Sequence, residues 1–277
     1  MSAAPHDSTA MHPPHDTAVI TGASSGIGAA FAVALARRGM GLLLTGRRPE
    51  PLEAVAKQCR ALGVPVQTVL VELSDPAERR SFLDRVRRID SVSLVVANAG
   101  FGYPRPFVGG PLEPVVQMID VHITAVVELF HVVLPAMVAR GSGGLIAVSS
   151  LASRLPVPGA ESYVASKSYL NSFCESLSVA VRDSGVTVQT LLPGFTRTDF
   201  HRYDTEFADA QPRFLRWMTP ESVVDVSLRC LDRRRPVCIP GWSNRLMAIG
   251  LGVLPRSILR RIMGRTMGSI SGTGDSQ

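Results

Sequence analysis

Two hydrophobic periods alternate along the chain. Short apolar runs occur at Ala18–Thr21, Gly41–Thr45, Val66–Val71, Leu94–Ala97, Leu145–Ser149, Val186–Leu191 and Pro236–Ile239. Between them lie longer stretches with apolar residues at helical spacing: Gly26–Arg38, Pro51–Leu62, Pro76–Arg88, Glu113–Ala139, Ser162–Asp183 and Pro220–Leu231. Strand–helix–strand at this spacing builds βαβ units, whose strands run parallel. The short runs are apolar on both faces, as strands covered by helices on either side must be. No internal repeat or compositional break divides residues 17–241. The pattern therefore predicts one α/β domain, a three-layer, doubly wound, Rossmann-like fold on a seven-stranded parallel sheet.

Two connections stand out. Gly102–Pro114 is rich in Gly and Pro. Residues 195–219 form a longer mixed segment carrying Phe195, Phe200, Tyr203, Phe207, Phe214 and Trp217. An insertion beyond the C-terminal end of a strand sits where open α/β sheets bind ligands. We expect a substrate lid there; a plain surface excursion is the alternative. Residues 1–16 hold His6, His12 and His15 but no basic start followed by an apolar stretch. They read as a flexible polar leader rather than a secretory signal or a metal-binding arm. No apolar run is expected to reach the roughly eighteen residues needed to cross a bilayer.

Composition narrows the function classes. Apolar residues make up 45% of the 277 positions and charged residues 19%, enough for a large core and too apolar for a disordered chain. The four cysteines, Cys59, Cys174, Cys230 and Cys238, are widely spaced and include no CxxC pair. This argues against a disulfide framework or a cysteine-based metal site, so no metal is expected and a reducing, cytoplasmic location fits. The net charge of +6 is concentrated in the tail. Residues 242–277 carry Arg245, Arg256, Arg260, Arg261 and Arg265 against Asp275 alone. The body is left near neutral, without the basic stripe of a nucleic-acid-binding protein. In the tail Ile258, Leu259 and Ile262 fall on one helical face with arginines elsewhere. That pattern fits either peripheral contact of 242–265 with an anionic membrane or an ordinary helix covering the cleft or a subunit interface. Gly250 and Gly252 weaken a long continuous helix over Leu246–Leu254.

The candidate chemistry lies at the ends of the predicted strands. The first strand runs into Thr21-Gly22-Ala23-Ser24-Ser25-Gly26-Ile27-Gly28 and then a helix. Gly22 permits a tight turn; Gly26 and Gly28 let the backbone approach a pyrophosphate at a helix N-terminus. The second strand ends in Gly46-Arg47-Arg48, with no acidic residue for ribose hydroxyls. A guanidinium can instead pair with a 2′-phosphate, so Arg47, helped by Ser25 and Arg48, selects NADP(H) over NAD(H) in this reading. Ser150 closes the fifth strand. Tyr163 and Lys167, four apart, share a helix face. A phenol is a poor acid–base catalyst at neutrality, and a nearby ammonium is expected to favour its phenolate. Ser150 can donate to a substrate oxygen while Tyr163 exchanges the proton that accompanies hydride transfer.

These motifs resemble the classical short-chain dehydrogenase/reductase (SDR) family over nearly the whole chain. The matching segments are Thr21–Gly28, Asn98-Ala99-Gly100, Ser150, Tyr163/Lys167 and Pro193–Thr198. The resemblance implies a sheet order 3-2-1-4-5-6-7 and a catalytic set of Ser150, Tyr163 and Lys167. It implies cofactor contacts from Gly22, Ser24, Ser25, Gly26, Ile27, Gly28, Asn98, Ala99, Gly100, Tyr163 and Lys167. Pro193, Gly194, Phe195, Thr196 and Thr198 would wrap the nicotinamide amide and pyrophosphate. Glu72 and Leu73 stand where the family has Asp and an apolar residue beside the adenine. Family members usually form homodimers or homotetramers through the helices carrying Tyr163 and His122, and those with such a tail often act on lipid-like or steroid-like substrates. The implied activity is NADP(H)-dependent interconversion of a ketone or aldehyde and an alcohol on an apolar small molecule. One departure matters. The family places Asn in the helix Glu113–Ala139, where it holds a water linked to the catalytic Lys; this chain has His122. Histidine there is open to three readings: a proton relay, a structural residue, or loss of catalysis, which would leave a dinucleotide-binding sensor or scaffold.

Overall fold

The computed structural model describes residues 16–103, 105, 107–198 and 217–267. All seven expected strands form: β1 (Thr17–Ile20), β2 (Gly41–Gly46), β3 (Val66–Leu70), β4 (Val92–Ala97), β5 (Gly143–Val148), β6 (Val186–Leu191) and β7 (Val237–Cys238). They make one parallel sheet in the order β3-β2-β1-β4-β5-β6-β7. The order reverses between β1 and β4, so β1 and β4 meet at a topological switch point, where such sheets bind ligands.

Helices α1 (Gly26–Arg37), α2 (Pro49–Arg60) and α3 (Pro76–Arg87) follow the first three strands; α4 (Glu113–Ile119), α5 (Ala125–Arg140), α6 (Glu161–Ala180) and α7 (Pro220–Asp232) follow the others. Successive strand residues point to opposite faces. Val19, Leu43, Val95 and Leu145 face one side, where Phe82, Phe130, Met137 and Leu170 cover them from α3, α5 and α6. Ile20, Leu44, Val96 and Ile146 face the other, under Phe31 and Leu35 of α1, Leu52 of α2 and Val223 of α7. Each such fully buried large apolar side chain contributes about 1.5–3 kcal/mol. Those two half-cores fix the register, and with it the alignment of every strand's C-terminal end along one edge.

Three expectations need correction. The stretch expected as one helix, Glu113–Ala139, is interrupted by a π-helical turn, Asp120–Thr124, between α4 and α5. The wider turn carries His122, which is fully buried; such turns are frequent at functional sites. The same run, Glu113–Arg140, is long and apolar enough to cross a membrane by length and composition, contrary to the expectation that none would be. Here it lies along the sheet as a core helix, with Met118, Leu129, Phe130 and Met137 buried. At the C-terminus a regular helix, α8 (Trp242–Val253), forms despite Gly250 and Gly252, followed by α9 (Arg256–Met267). Tertiary packing outweighs propensity: Asn244 and Ala248 are buried, and Asn244 donates to the Pro240 carbonyl at 2.7 Å. Most of the expected lid, 199–216, and most of the expected leader lie outside the described residues, as do the residues after 267.

Candidate active site

The glycine turn is built for close approach. Gly22 and Gly26 adopt left-handed φ of +65° and +55°. A side chain at Gly28 would come within 2.2 Å of the Gly22 carbonyl oxygen, and one at Gly26 within 2.9 Å of Thr198. Ser25, at the N-cap of α1, makes no side-chain cap, and the first turn holds no acidic residue. The turn thus presents backbone N–H groups and a positive helix end to an anion. These features fit a dinucleotide pyrophosphate. Ile27 is half-buried at the start of α1.

The end of β4 is tied to this turn. The Asn98 carboxamide donates to the Thr21 and Gly22 carbonyls at 3.1 and 3.0 Å. The backbone N–H groups of Asn98 and Ala99 both donate to the Thr21 hydroxyl at 3.0 Å. Asn98 is therefore a brace holding β1 and β4 together at the switch point. Thr21, at the head of the glycine motif, was given no role of its own in the sequence reading; its signal was a hydroxyl at the last strand position before the first glycine.

At the end of β2 the Arg48 guanidinium donates to the Ser25 hydroxyl at 3.0 Å and lies 3.5 Å from that of Ser24. Arg47 pairs with Glu72 at 3.1 Å, and its Cζ lies 5.8 Å from the Phe101 ring centroid. Glu72 is held in turn by Ser74, whose N–H and hydroxyl donate to it at 3.2 and 2.8 Å. These bonds and the Arg47 charge outweigh its partial desolvation and hold its carboxyl below the ordinary value. Leu73 is buried, and its carbonyl accepts from Arg79 at 2.7 Å. A surface groove of about 1010 Å³ runs past Arg47 and Glu72 along β3 and α3, but Tyr163 does not line it.

The candidate catalytic side chains gather at the end of β5 and the start of α6. Ser150 follows β5 and caps the short 3₁₀ turn Leu151–Arg154 by accepting from the Ala152 N–H at 3.1 Å. Its hydroxyl also hydrogen-bonds the Tyr163 phenol. Burial pushes that phenol above its ordinary value of 10.0, and the Ser150 bond works against the shift. Lys167, buried one helical turn on, donates to the Val148 carbonyl at 2.9 Å, with its Nζ 5.9 Å from the Tyr163 ring centroid. Burial pulls the Lys167 amine down from 10.5 to about 8. The expected lowering of the phenol by this ammonium is not its dominant influence here; desolvation is. Ser149 donates to the Lys167 carbonyl at 2.9 Å and fixes α6 against the end of β5. A cavity of about 60 Å³ opens beside Tyr163, lined by Tyr103, Phe107, Leu112, Met118 and others.

His122 sits behind this group. Its Nε2 accepts from the Phe101 N–H at 3.0 Å, so the ring proton is on Nδ1, which donates to the Ser166 hydroxyl at 2.9 Å. Ser166 passes the chain on to the Tyr163 carbonyl at 2.8 Å. The imidazole packs edge-on against both Phe101 and Tyr163, with centroids 5.8 Å away in each case. Burial and the Lys167 charge depress its pKa well below 6.5. A side chain at Gly100 would come within 2.8 Å of His122 Nε2, so the glycine is required by the histidine as much as by any ligand. Ser166, at i+3 from Tyr163, is a second residue the sequence reading missed.

The segment after β6 closes the cleft. The Pro193 carbonyl accepts from Leu151 N–H at 2.9 Å. Gly194 leaves room for Asn244, which a side chain there would meet at 2.6 Å. Nothing in the sequence marked Asn244. Thr196 is buried, donates to the Gly194 carbonyl at 3.0 Å and bridges to Met218. Phe195 packs against Trp217, with ring centroids 5.6 Å apart, and Thr198 lies against Gly26. The structure thus brings Ser150, Tyr163, Lys167, the glycine turn and 193–198 to one edge. Among the described residues no group of three His, Cys, Asp or Glu is placed to hold a metal.

The family profile described as short chain dehydrogenase matches residues 16–209. The chain is 30% identical over 259 residues to a very-long-chain 3-oxoacyl-CoA reductase of Anas platyrhynchos, covering 90% of this chain and 79% of that protein. It is 33% identical over 184 residues to the human inactive hydroxysteroid dehydrogenase-like protein 1, covering 65% of this chain and 56% of that one. Among solved structures, a short-chain dehydrogenase from Sphingobium yanoikuyae in complex with NADPH superposes with a TM-score of 0.74 at 29% identity, covering 94% and 97% of the two chains. Sheet order, glycine turn and the Ser150/Tyr163/Lys167 cluster agree with these matches, and the chain belongs to the classical short-chain dehydrogenase/reductase family.

Proposed function

We propose that this protein is an NADP(H)-dependent oxidoreductase that interconverts a ketone or aldehyde with an alcohol, on an apolar substrate of lipid-like or steroid-like character. The observation that carries the reading is the convergence of Ser150, Tyr163 and Lys167 beside a glycine turn shaped for pyrophosphate. The bound nicotinamide would supply the hydride. Ser150 donates to the carbonyl oxygen and orients it, and Tyr163 delivers the proton as that oxygen gains charge. Lys167 holds positive charge behind the phenol and would hold the ribose of a bound nicotinamide nucleotide. His122, with both nitrogens engaged, acts as a positioning residue. Tyr103, Phe107, Leu112 and Met118 beside Tyr163, with Arg105 and Glu161 among them, support an apolar group next to the reacting carbon.

Arg47 and Arg48 support the preference for NADP(H). Both stand at the end of β2, one beside Glu72 and the other on the Ser24/Ser25 hydroxyls, where either guanidinium could hold a 2′-phosphate of a bound cofactor. Arg47→Ala should weaken NADPH binding about 10- to 100-fold, the worth of a charge-assisted hydrogen-bonded pair, and leave NADH binding nearly unchanged. Titration of both cofactors with native and variant protein checks this; equal losses for the two would remove Arg47 from the role. Exposed Val138 on α5 and Tyr169 and Val179 on α6 support a homodimer or homotetramer built on those helices. Four buried free cysteines are consistent with the reducing cytoplasm.

A second reading, a dinucleotide-binding sensor or scaffold of little activity, draws on His122 and on the relative named as inactive. Assay of a broad panel of ketones and aldehydes with NADPH separates the two. Turnover supports the enzyme; tight cofactor binding with no turnover on any member supports the sensor.

A further inference from the structure

The strongest surface feature outside the cleft is on α8. Trp242, Leu246, Ile249 and Val253 are spaced i, i+4, i+7 and i+11, which puts them within one narrow stripe. They are 68%, 59%, 64% and 79% exposed, while Asn244 and Ala248, on the opposite side, are buried against the body. Four large apolar side chains in one exposed row are more than the scatter of single residues that a protein surface ordinarily shows. The adjoining α9 adds Arg256, Arg260 and Arg261, all exposed, and the sequence from 242 to 267 holds five arginines and no acidic residue.

We propose that α8 and α9 form a docking surface for an anionic lipid bilayer, with the α8 stripe seated in the interfacial layer and the α9 arginines on lipid headgroups. Charge decides the occupant. A second copy docked through this face would bring more arginines and no carboxylate from its own 242–267 to answer them, so the contact would lack a countercharge. An anionic headgroup layer supplies that countercharge and adds an apolar boundary for the stripe. Trp242 opens the helix, and tryptophan favours the membrane–water interface. The guanidinium groups can stay in the headgroups while their stems lie along the acyl boundary.

The placement has a consequence for access. Asn244 of α8 fills the space left by Gly194, and α8 packs on the 3₁₀ turn that follows Ser150. Docking through the stripe would hold the edge of the sheet that carries Ser150 next to the bilayer. The inference stands apart from the proposed reaction, and its test needs neither cofactor nor substrate.

The chain has two tryptophans, so Trp217→Phe leaves Trp242 as the sole reporter. This full-length protein should float with vesicles of phosphatidylcholine and phosphatidylglycerol in equal parts. Its emission should shift to the blue as it does so, and added salt should reverse both. Pure phosphatidylcholine should give neither effect. Ile249→Glu, at an exposed position, should abolish flotation. Changing Arg256, Arg260 and Arg261 together to Gln should weaken vesicle affinity on the order of 100-fold. Three results would overturn the proposal. The first is no flotation on either vesicle; the second is equal flotation on both. The third is a Trp242 already shielded from a soluble quencher without lipid. In that last case, dissociation of an oligomer by Ile249→Glu would assign the stripe to a second copy, and an unchanged monomer would assign it to residues of this chain.

Discussion

Tyr163→Phe should reduce hydride transfer to a ketone by about 10²- to 10⁴-fold, the usual worth of a general acid in position, while NADPH still binds nearly as in the native protein. The substitution removes one oxygen and keeps the ring that packs on His122. What is lost is the proton donor beside Ser150. Single-turnover decay of NADPH absorbance, set beside cofactor titration, separates chemistry from binding. Native rates in the variant would refute the role of Tyr163, and with it the reaction proposed.

The same centre fixes a pH dependence. Burial holds Lys167 near 8, and the phenol lies above 10.0, so an alkaline fall in ketone reduction near pH 8 belongs to the lysine. Stability moves the other way through this group. Its folded value lies below its unfolded value of 10.5. Between about 8 and 10.5 the unfolded chain therefore binds the proton that the folded one has lost, and the lysine's contribution makes the fold more stable as pH rises. Activity lost near pH 8 without a matching loss in a denaturation profile identifies the limb as titration rather than unfolding.

Much of this site was legible because its parts are local patterns. A glycine turn needs a strand before it and a helix after it, and both are written in hydrophobic period. Tyr163 and Lys167 share a face by simple spacing. The residues that escaped notice act across the fold. Thr21 matters because β4 lies beside β1, and Asn244 matters because α8 comes back onto Gly194. The β1–β4 adjacency follows from the sheet order that the resemblance implies, but the partners that Thr21 and Asn244 take are not encoded in neighbouring positions. The π turn escaped for a related reason: the periodicity of Glu113–Ala139 survives one wide turn, and only burial of His122 between Phe101 and Ser166 shows where it falls. The tail misled in the opposite sense, since α8, weakened on paper by two glycines, forms and carries an exposed apolar stripe.

His122→Asn should leave the shape of the pH–rate profile unchanged from acid to neutral pH. A relay must gain and lose its proton in the working range. This imidazole is held in one neutral tautomer, accepting from Phe101 and donating to Ser166, and burial and the Lys167 charge keep it neutral well below 6.5. Its work is to clamp the turn after β4 to α6 at the carbonyl of Tyr163. His122→Ala should therefore cost about 3 kcal/mol of stability, combining an unsatisfied buried N–H with a cavity. Asparagine, which can meet one partner, should recover part of that loss. Linkage gives an independent readout. Because the folded value is depressed, below pH 6.5 the unfolded chain takes up a proton that the fold refuses, and stability falls with pH at up to about 1.4 kcal/mol per unit. His122→Asn removes that component, so its urea midpoint should decline less steeply on acidification than the native one. An acid limb near neutrality present in native protein and absent from the variant, with both acid denaturation slopes alike, would restore the relay.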